Sequence, residues 1–405
     1  MQRRLVFTLG LVTLSRFGTF VPIPGVDQEI LCRTLQDDSV ANVLNILSSG
    51  EVASIGVLTL GIVPYINASI LMQLGTMILP HLEKLQKEEG GVGKQRILQY
   101  TRCIAFGWSV AHSIGICFRI KPYVISWGVY FVAKVVLALT VGAMLVMWIG
   151  EQITEKGVGN GPSMLIFVNI LAGLPTLLRQ GSFVSGGTLG IVVLISSLLS
   201  VLLGIIYIQE GTWRIPVISA KCLRKGSLRT NLNYIPLKLH QGGVMPIILA
   251  SAFCMLPAHL GVMLHSSHLQ ELYVLLTSGG DATALYVGIH SVLIVLFSFL
   301  YTSLLIHPED ISKNLRKMES TIPGVRPGKA TTAYIQKTLN RLTFVGAVFL
   351  AFIAALPIVI ESFTGISIFK GLGATSLLIL VGVALDTSKQ IQAYSISSSY
   401  GNCTV

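Results

Sequence analysis

IVVLISSLLSVLLGIIYI, residues 191–208, is an uncharged stretch that decides the fold class of this chain. At about 1.5 Å per residue, a helix of this length nearly crosses the roughly 30 Å hydrocarbon core of a bilayer. A second stretch, LYVGIHSVLIVLFSFLYTSLLI at 285–306, is longer and contains no Asp, Glu, Lys or Arg. Both stretches predict membrane-spanning helices.

The composition agrees with a membrane protein. The chain has 405 residues, of which 52% are hydrophobic and 12% charged, whereas a soluble domain carries about 25% charged residues. We therefore predict an all-α polytopic membrane protein with ten transmembrane helices. The predicted spans are 4–22, 62–80, 98–118, 124–150, 161–178, 186–208, 243–263, 284–306, 340–360 and 371–393, followed by a tail at 393–405.

Residues 41–61 lie between the first two spans and read ANVLNILSSGEVASIGVLTLG. The segment is half apolar, contains several Ser and Gly residues and carries Glu51. Irregular backbone facing lipid would leave polar groups without hydrogen bonds, so such a segment must be shielded by protein. We expect a re-entrant half-helix here.

Basic residues are distributed unevenly between the two sides of the membrane. With ten spans, 22 of the 29 Lys and Arg residues fall on the side of the termini. By the positive-inside rule that side faces the cytoplasm or its equivalent. The first span begins near residue 4, and we expect insertion without a cleaved leader.

Two basic loops, 209–240 and 307–341, belong to the same side and are unusually long. Loops longer than about 15 residues usually have a function, and we expect a docking platform for a cytosolic partner. Aromatic residues are sparse in both loops, which argues against sequence-specific nucleic-acid reading but allows electrostatic contact with an RNA backbone. Attraction to anionic lipid is the simpler explanation of the charge.

The eight residues TIPGVRPG, 321–328, place Arg326 between two Pro-Gly pairs inside the second basic loop. Proline restricts the backbone, so less entropy is lost when such a segment docks. We expect Arg326 to contact a partner, although an exposed arginine that only sets topology would look the same.

Ile62, Ile66 and Ile70 recur every four residues and form one stripe on the second span. Such a stripe is most often simple packing. The span also holds Pro64 and follows the re-entrant segment, which favours an interior that opens. The glycines of EKGVGNGP, 155–162, are typical of an interhelical turn, since no strand precedes them and no Lys-Ser/Thr pair follows.

Several stretches together resemble the SecY family of protein-conducting channels. They are SRFGTFVPIPGVD, LGIVPYINASILMQL, GVGKQRILQYTR, MWIGEQITEKGVGNGPSMLIF, YIPLKLHQGGVMPIILAS, IPGVRPGKATTAYIQKTLNRLTFVGA and GATSLLILVGVALDT, in family order. The sequence around LHQGGVMPIIL is most similar to that of cyanobacterial and plastid-encoded members. The resemblance implies two pseudo-symmetric five-helix halves, 1–185 and 186–392, with the segment near 41–61 as the plug.

The resemblance also implies the site residues. Three sets of residues are carried over from the family, position by position. They form a pore ring, a lateral gate between the second and seventh spans, and the contacts to a motor or ribosome. The ring comprises Ile62, Ile66, Ile70, Ile166, Ile248 and Ile379; the gate includes Gln73 and Leu256; the partner contacts are Arg326, Arg224 and Lys225.

The family implies a channel for unfolded preproteins that also releases transmembrane segments into lipid, and that is not an enzyme. Expected partners are a SecE-like subunit, a possible SecG-like subunit, and a SecA ATPase or the ribosome, in a plastid thylakoid membrane or a bacterial membrane. We expect no cofactor, no metal and no sequence-specific nucleic acid. The competing hypotheses are a secondary transporter of small solutes, which would need a midplane ionisable residue, and a membrane scaffold.

Overall fold

The computed structural model describes most of the chain. The described residues are 2–23, 56–79, 81–82, 85, 90–121, 124, 127–180, 187–219, 233–239, 242–251, 253–254, 282–364 and 374–401. The predicted plug therefore lies mostly outside them, with only residues 56–61 described.

The described chain is mostly helical, as predicted. Nine of the ten predicted spans coincide with a helix, and residues 245–251 of the remaining span, 243–263, are also helical. The helices are α1 (Gln2–Thr19), α2 (Val63–Ile78), α3 (Gly90–Ile120), α4 (Val129–Lys156), α5 (Gly161–Gln180), α6 (Gly187–Glu210), α7 (Ala282–Leu305), α8 (Pro308–Lys317), α9 (Lys329–Thr364) and α10 (Ala374–Gly401).

Three helical stretches of the described residues are long and apolar enough to cross a membrane: Val129–Lys156, Val287–Lys317 and Lys329–Leu356. The ten-helix membrane layout stays a prediction. Several boundaries differ from the sequence-based ones. α3 begins at Gly90 rather than near 98, and α4 covers Val129–Lys156 rather than 124–150. α9 begins at Lys329 rather than near 340, and α10 continues through residues 393–401, which were predicted to be tail.

Three short strands depart from the all-α prediction. β1 (Thr212–Ser219) pairs antiparallel with β2 (Asn233–Lys238) and with β3 (Ser320–Thr321), in the order β2-β1-β3. Ile215 and Val217 of β1 point inward and Pro216 between them is exposed, which is the two-residue alternation of a half-buried strand. A search for long apolar runs does not detect this short pattern, so residues 209–240 were predicted as a loop.

Contacts divide the chain into two units, Met1–Ser182 with Val383–Val405, and Phe183–Gly382. The first unit is organised around α4, which packs against α1, α2, α3 and α5. Its buried residues recur every three or four positions and so form one face. That face includes Phe131, Val135, Leu139, Ala143, Val146, Ile149 and Ile153.

The second unit is organised around α9. This helix packs against α6, α7 and α8. At the end of the unit, Gly382 of α10 lies close to Val244 and Gln209, where a Cβ atom would be 2.5 Å from Val244 Cγ2. A larger residue at 382 would therefore have to displace one of these neighbours.

The segment that precedes α2 is held against α1 and α4 by backbone contacts. Val57 N–H donates to Val21 O at 2.9 Å, and Gly56 forms a bridge with Pro22. A Cβ atom at Gly142 of α4 would collide with Val57 O. Gly142 therefore permits this approach.

We predict that Gly142→Ala lowers the free energy of unfolding by roughly 1–3 kcal/mol, because the added methyl group overpacks the contact with Val57. The measurement is the temperature at which the detergent-solubilised chain aggregates. Gly107→Ala is the matched control, since Gly107 is an exposed helical glycine with open space around it, and alanine favours helices. An equal or higher aggregation temperature for Gly142→Ala than for the control would contradict the close packing.

Candidate functional site

A small folded platform stands where the two long basic loops were predicted. Its core is a cluster of buried apolar residues from the sheet, α8, the segment after β3, and the first turns of α9. We call it the platform cluster; it comprises Ile215, Val217, Leu237, Leu315, Ile322, Ile335, Leu339 and Leu342. The described parts of both basic segments are therefore packed against one another in the second unit.

The knuckle, residues 321–328, contains a tight turn on this platform. Val325 N–H donates to Ile322 O at 3.2 Å. Pro323 occupies the second position of the turn and Gly324, with φ of 79°, the third. This is the arrangement of a type II turn, whose third position requires positive φ and hence favours glycine. The first Pro-Gly pair thus forms the turn that its sequence predicts.

The second Pro-Gly pair is tied to the helices on either side of it. Thr331 Oγ1 donates to Arg326 O at 2.9 Å, and the buried Ser312 Oγ of α8 donates to Gly328 O at 3.2 Å. Gly328 has φ of 109°. The backbone on both sides of Arg326 is therefore fixed, by Val325 packing against the platform cluster on one side and by these hydroxyls on the other.

The side chain of Arg326, in contrast, is exposed. No carboxylate within the described parts of the chain forms an ion pair with it. Exposed cations also lie on α8 and at the start of α9, namely Lys313, Arg316, Lys317 and Lys329. Arg224 and Lys225, the other two predicted partner contacts, lie outside the described residues.

Three of the six predicted ring isoleucines meet in the first unit. Ile62 is buried in a cluster with Val12, Leu58, Val146, Ile149, Ile153 and Leu165, and Ile66 and Ile166 are half-buried against it. We call this the isoleucine cluster. Ile62 is the N-cap residue of α2, and Pro64 is the second residue of that helix.

The other three predicted ring residues are placed separately. Ile70 is buried on α2 at 8% exposure, outside the isoleucine cluster. Ile248 and Ile379 belong to the second unit, where both are half-buried. A ring formed by all six stays a prediction.

Of the two predicted gate residues, only Gln73 is described. Its Oε1 atom is buried and has no hydrogen-bond partner among the described residues. Leaving a buried polar atom without a hydrogen bond typically costs about 1–3 kcal/mol of stability. A polar group that reached Gln73 Oε1 would therefore be stabilised there. Leu256 lies outside the described residues.

The glycine turn between α4 and α5 uses its own N–H groups internally. Val158 N–H donates to Thr8 Oγ1 at 3.1 Å, and Gly159 N–H to Gln390 Oε1 at 2.9 Å. Gly161 N–H donates to Thr154 Oγ1 at 2.9 Å. These donors are already engaged by protein oxygens, which agrees with an interhelical turn rather than a phosphate-binding loop.

Sequence reasoning did not identify Ser312 and Thr331, which hold the knuckle. It also missed a bidentate ion pair between α3 and α4, in which Arg102 Nε and Nη2 donate to Glu151 Oε1 and Oε2 at 2.9 and 2.8 Å. The signal for Thr331 was its place five residues after Arg326, in the first turn of a helix. The ion pair joins residues 49 positions apart, and no local pattern indicates it.

A family model described as SecY matches residues 56–388. This chain belongs to the SecY family. The protein translocase subunit SecY of Guillardia theta is 54% identical over 403 residues, covering 99% of this chain and 96% of that relative. The SecY subunit of Synechocystis sp. is 48% identical over 412 residues, covering 99% and 93%. The resemblance inferred from the seven stretches is confirmed.

Solved structures share the fold of this SecY-family chain at low identity. A structure reported for the plug domain of the SecY protein has a TM-score of 0.68 and 16% identity, covering 97% of this chain and 92% of its own. Sec61 in the canine ribosome–channel complex from the endoplasmic reticulum has a TM-score of 0.63 and 15% identity, with the same coverage of 97% and 92%.

We predict that Gly324→Ala loosens the knuckle of this SecY-family chain. Alanine at φ of 79° costs about 1–2 kcal/mol, so hydrogen exchange at the Val325 amide should accelerate roughly five- to thirtyfold. The exchange is read by mass spectrometry of peptides that cover the knuckle. Gly288→Ala on α7 is the control, because no atom lies near its added methyl group. An unchanged exchange rate at Val325 would show that the turn does not depend on the positive φ of Gly324 and would contradict its assignment.

Proposed function

We propose that this chain is the central channel-forming subunit of a Sec protein translocase. Its SecY relatives, which match almost the whole chain and are named protein translocase subunits, carry this proposal. They favour a protein-conducting channel over a transporter of small solutes. In this role the chain supplies a passage and does not catalyse a covalent reaction.

The passage is physical, and branched apolar side chains suit it. A constriction lined by isoleucines can exclude water and ions, because it offers them no hydrogen bonds. It also offers no charge that would hold a passing peptide. We propose Ile62, Ile66 and Ile166 as the ring residues of the first unit, supported by their packing around one cluster. Ile70, Ile248 and Ile379 complete the proposed ring.

Gln73 and Leu256 are proposed gate residues. A segment of roughly twenty apolar residues is stable as a helix in lipid, so a lateral opening would let such a segment leave the passage. The buried Oε1 of Gln73 has no partner in the described part of the chain. A polar group of a passing segment could satisfy it, which makes the position sensitive to the polarity of that segment.

The knuckle is the proposed contact for the energy source. The backbone around Arg326 is already fixed and its guanidinium is exposed. Docking at this residue would therefore lose little further conformational entropy. A SecA-type motor or a translating ribosome would bind here, with Arg224 and Lys225 contributing from the other basic segment. The canine Sec61 structure, which is part of a ribosome–channel complex, supports the ribosome as one candidate.

The remaining assignments rest on the relatives. We propose a SecE-like helix that clamps the two halves, 1–185 and 186–392, and a SecG-like subunit beside it. Red-algal, cryptophyte and cyanobacterial SecY subunits resemble this chain, which supports a photosynthetic membrane. We therefore propose the plastid thylakoid membrane as its location.

A crosslinking experiment tests the passage. A photoreactive amino acid placed at Ile66 or Ile248 should form adducts with a secretory chain arrested during translocation. Leu71 is the matched control for Ile66, since it lies on the same helix and is 43% exposed. We expect adducts at the isoleucines to exceed those at Leu71 several-fold. No adducts at either isoleucine, in vesicles that translocate normally, would overturn the proposed ring.

A charge reversal tests the docking contact. Arg326→Glu should weaken partner binding roughly 10- to 100-fold, because a hydrogen bond to a charged group is worth about 1.5–3 kcal/mol. The measurements are the partner's Kd and the rate of preprotein translocation into vesicles. Arg316→Glu on α8 is the control, being an exposed arginine of the same platform. Normal binding and translocation in Arg326→Glu, with the translocase assembled, would contradict this role.

A further inference from the structure

A groove of about 830 Å³ is lined by residues of α9 and by one residue of α7. Its lining is basic at one end and aromatic at the other. The residues that the argument uses are Phe299 of α7 and Lys337, Asn340, Arg341, Phe344 and Val345 of α9. It is an open surface groove rather than an enclosed cavity.

The groove side of α9 is opposite its packed side. Ile335, Leu339 and Leu342 are buried in the platform cluster. Lys337 and Arg341 lie one turn apart on the other face and are exposed. The packed face orders the helix, so the groove residues are held on a rigid support whose position does not depend on a ligand.

The exposed face of α9 changes from charged to apolar within one turn. After Arg341, its large exposed residues are Phe344, Val345, Val348, Phe349 and Phe352, each at 42% exposure or more. A helix that enters a bilayer shows this change at the level of the headgroups. The groove therefore lies at the membrane interface, on the side that the positive-inside rule assigns to the cytoplasm or its equivalent.

The charge of the groove is uncompensated. Its lining includes Lys337 and Arg341 but no Asp or Glu. Neither cation has an ion-pair partner among the described residues. Gln336 Nε2 donates to Asn340 Oδ1 at 3.1 Å, which leaves the Asn340 amide N–H groups available. The polar end thus presents two cations and the Asn340 N–H groups, with the Gln336 amide oxygen as a neutral acceptor beside them. This set of groups suits a negatively charged, acceptor-rich ligand.

We propose that this groove binds an anionic phospholipid. The Arg341 guanidinium fork and the Lys337 ammonium group would receive the phosphate, for which arginine is especially suited because two N–H groups can bond two oxygens. One acyl chain would follow Phe344, Val345 and Phe299 toward the hydrocarbon. Basic pockets between transmembrane helices on this side of a membrane are known to bind anionic headgroups. The site is separate from the knuckle and from the isoleucine cluster.

A lipid crosslinking experiment tests the proposal. The full chain, with the subunits that copurify with it, carries a photoreactive amino acid at Val345 and is reconstituted in vesicles of phosphatidylcholine with 20 mol% clickable phosphatidylglycerol. A parallel set contains clickable phosphatidylcholine at about the same fraction. We expect several-fold more adducts with phosphatidylglycerol than with phosphatidylcholine. Removing charge with Lys337→Gln and Arg341→Gln together should bring the labelling of the two lipids close to equal, because each charge contributes about fivefold.

The control removes the same charge elsewhere. Arg316→Gln with Lys317→Gln, both exposed on α8 and outside the groove, should leave the lipid preference unchanged. Equal labelling of the two lipids, or an unchanged preference in the Lys337/Arg341 variant, would overturn the proposal. Adducts to a polypeptide instead of lipid would show a partner helix in the groove and also overturn it. Competition by inorganic phosphate at millimolar concentration would indicate a simple anion site and count against a lipid.

Discussion

The constraint on which the architecture depends is that hydrocarbon offers no hydrogen bonds to the backbone. The long apolar runs of the described chain lie in helices, and the three strands occur only in the basic segments. Hydroxyl side chains within the helices satisfy the same constraint by donating to a carbonyl four residues earlier. Thr101, Ser113, Thr140, Ser298 and Thr387 all make this bond, at 2.6–2.9 Å.

The same constraint explains why α9 can serve two environments. Its first turns belong to the platform, where Thr331 fixes the carbonyl of Arg326, and its later turns carry exposed apolar residues. Because the helix is continuous from Lys329 to Thr364, a load on the knuckle acts on a rigid element that continues into the membrane. Under the proposed function, such an element would couple docking at the knuckle to the passage, because rigid secondary-structure elements are among the carriers of coupling between distant sites.

The sequence predicted what depends on composition and missed what depends on tertiary packing. Hydropathy located the nine longer helices among the described residues, because each contains a long apolar stretch. It did not locate α8, whose sequence PEDISKNLRK is polar and lies in a predicted loop. Paired Pro-Gly turns predicted the knuckle, since only glycine readily adopts the positive φ seen at Gly324 and Gly328. The strands were missed because only Ile215 and Val217 of β1 carry the alternation. The Ser312 contact to Gly328 O was missed because it joins separate elements, which no local pattern reports.

The burial of Ile62 has an energetic consequence for a passage of the proposed kind. Ile62 is 3% exposed, so opening must first remove it from its neighbours. Withdrawing a fully buried isoleucine such as Ile62 costs about 1.5–3 kcal/mol, and the half-buried Ile66 and Ile166 each add less. A partner shifts such an equilibrium only by the difference between its affinities for the open and the closed state. The proposed ring would therefore stay closed by its own packing, and a partner would open it by preferring the open state by more than this packing energy.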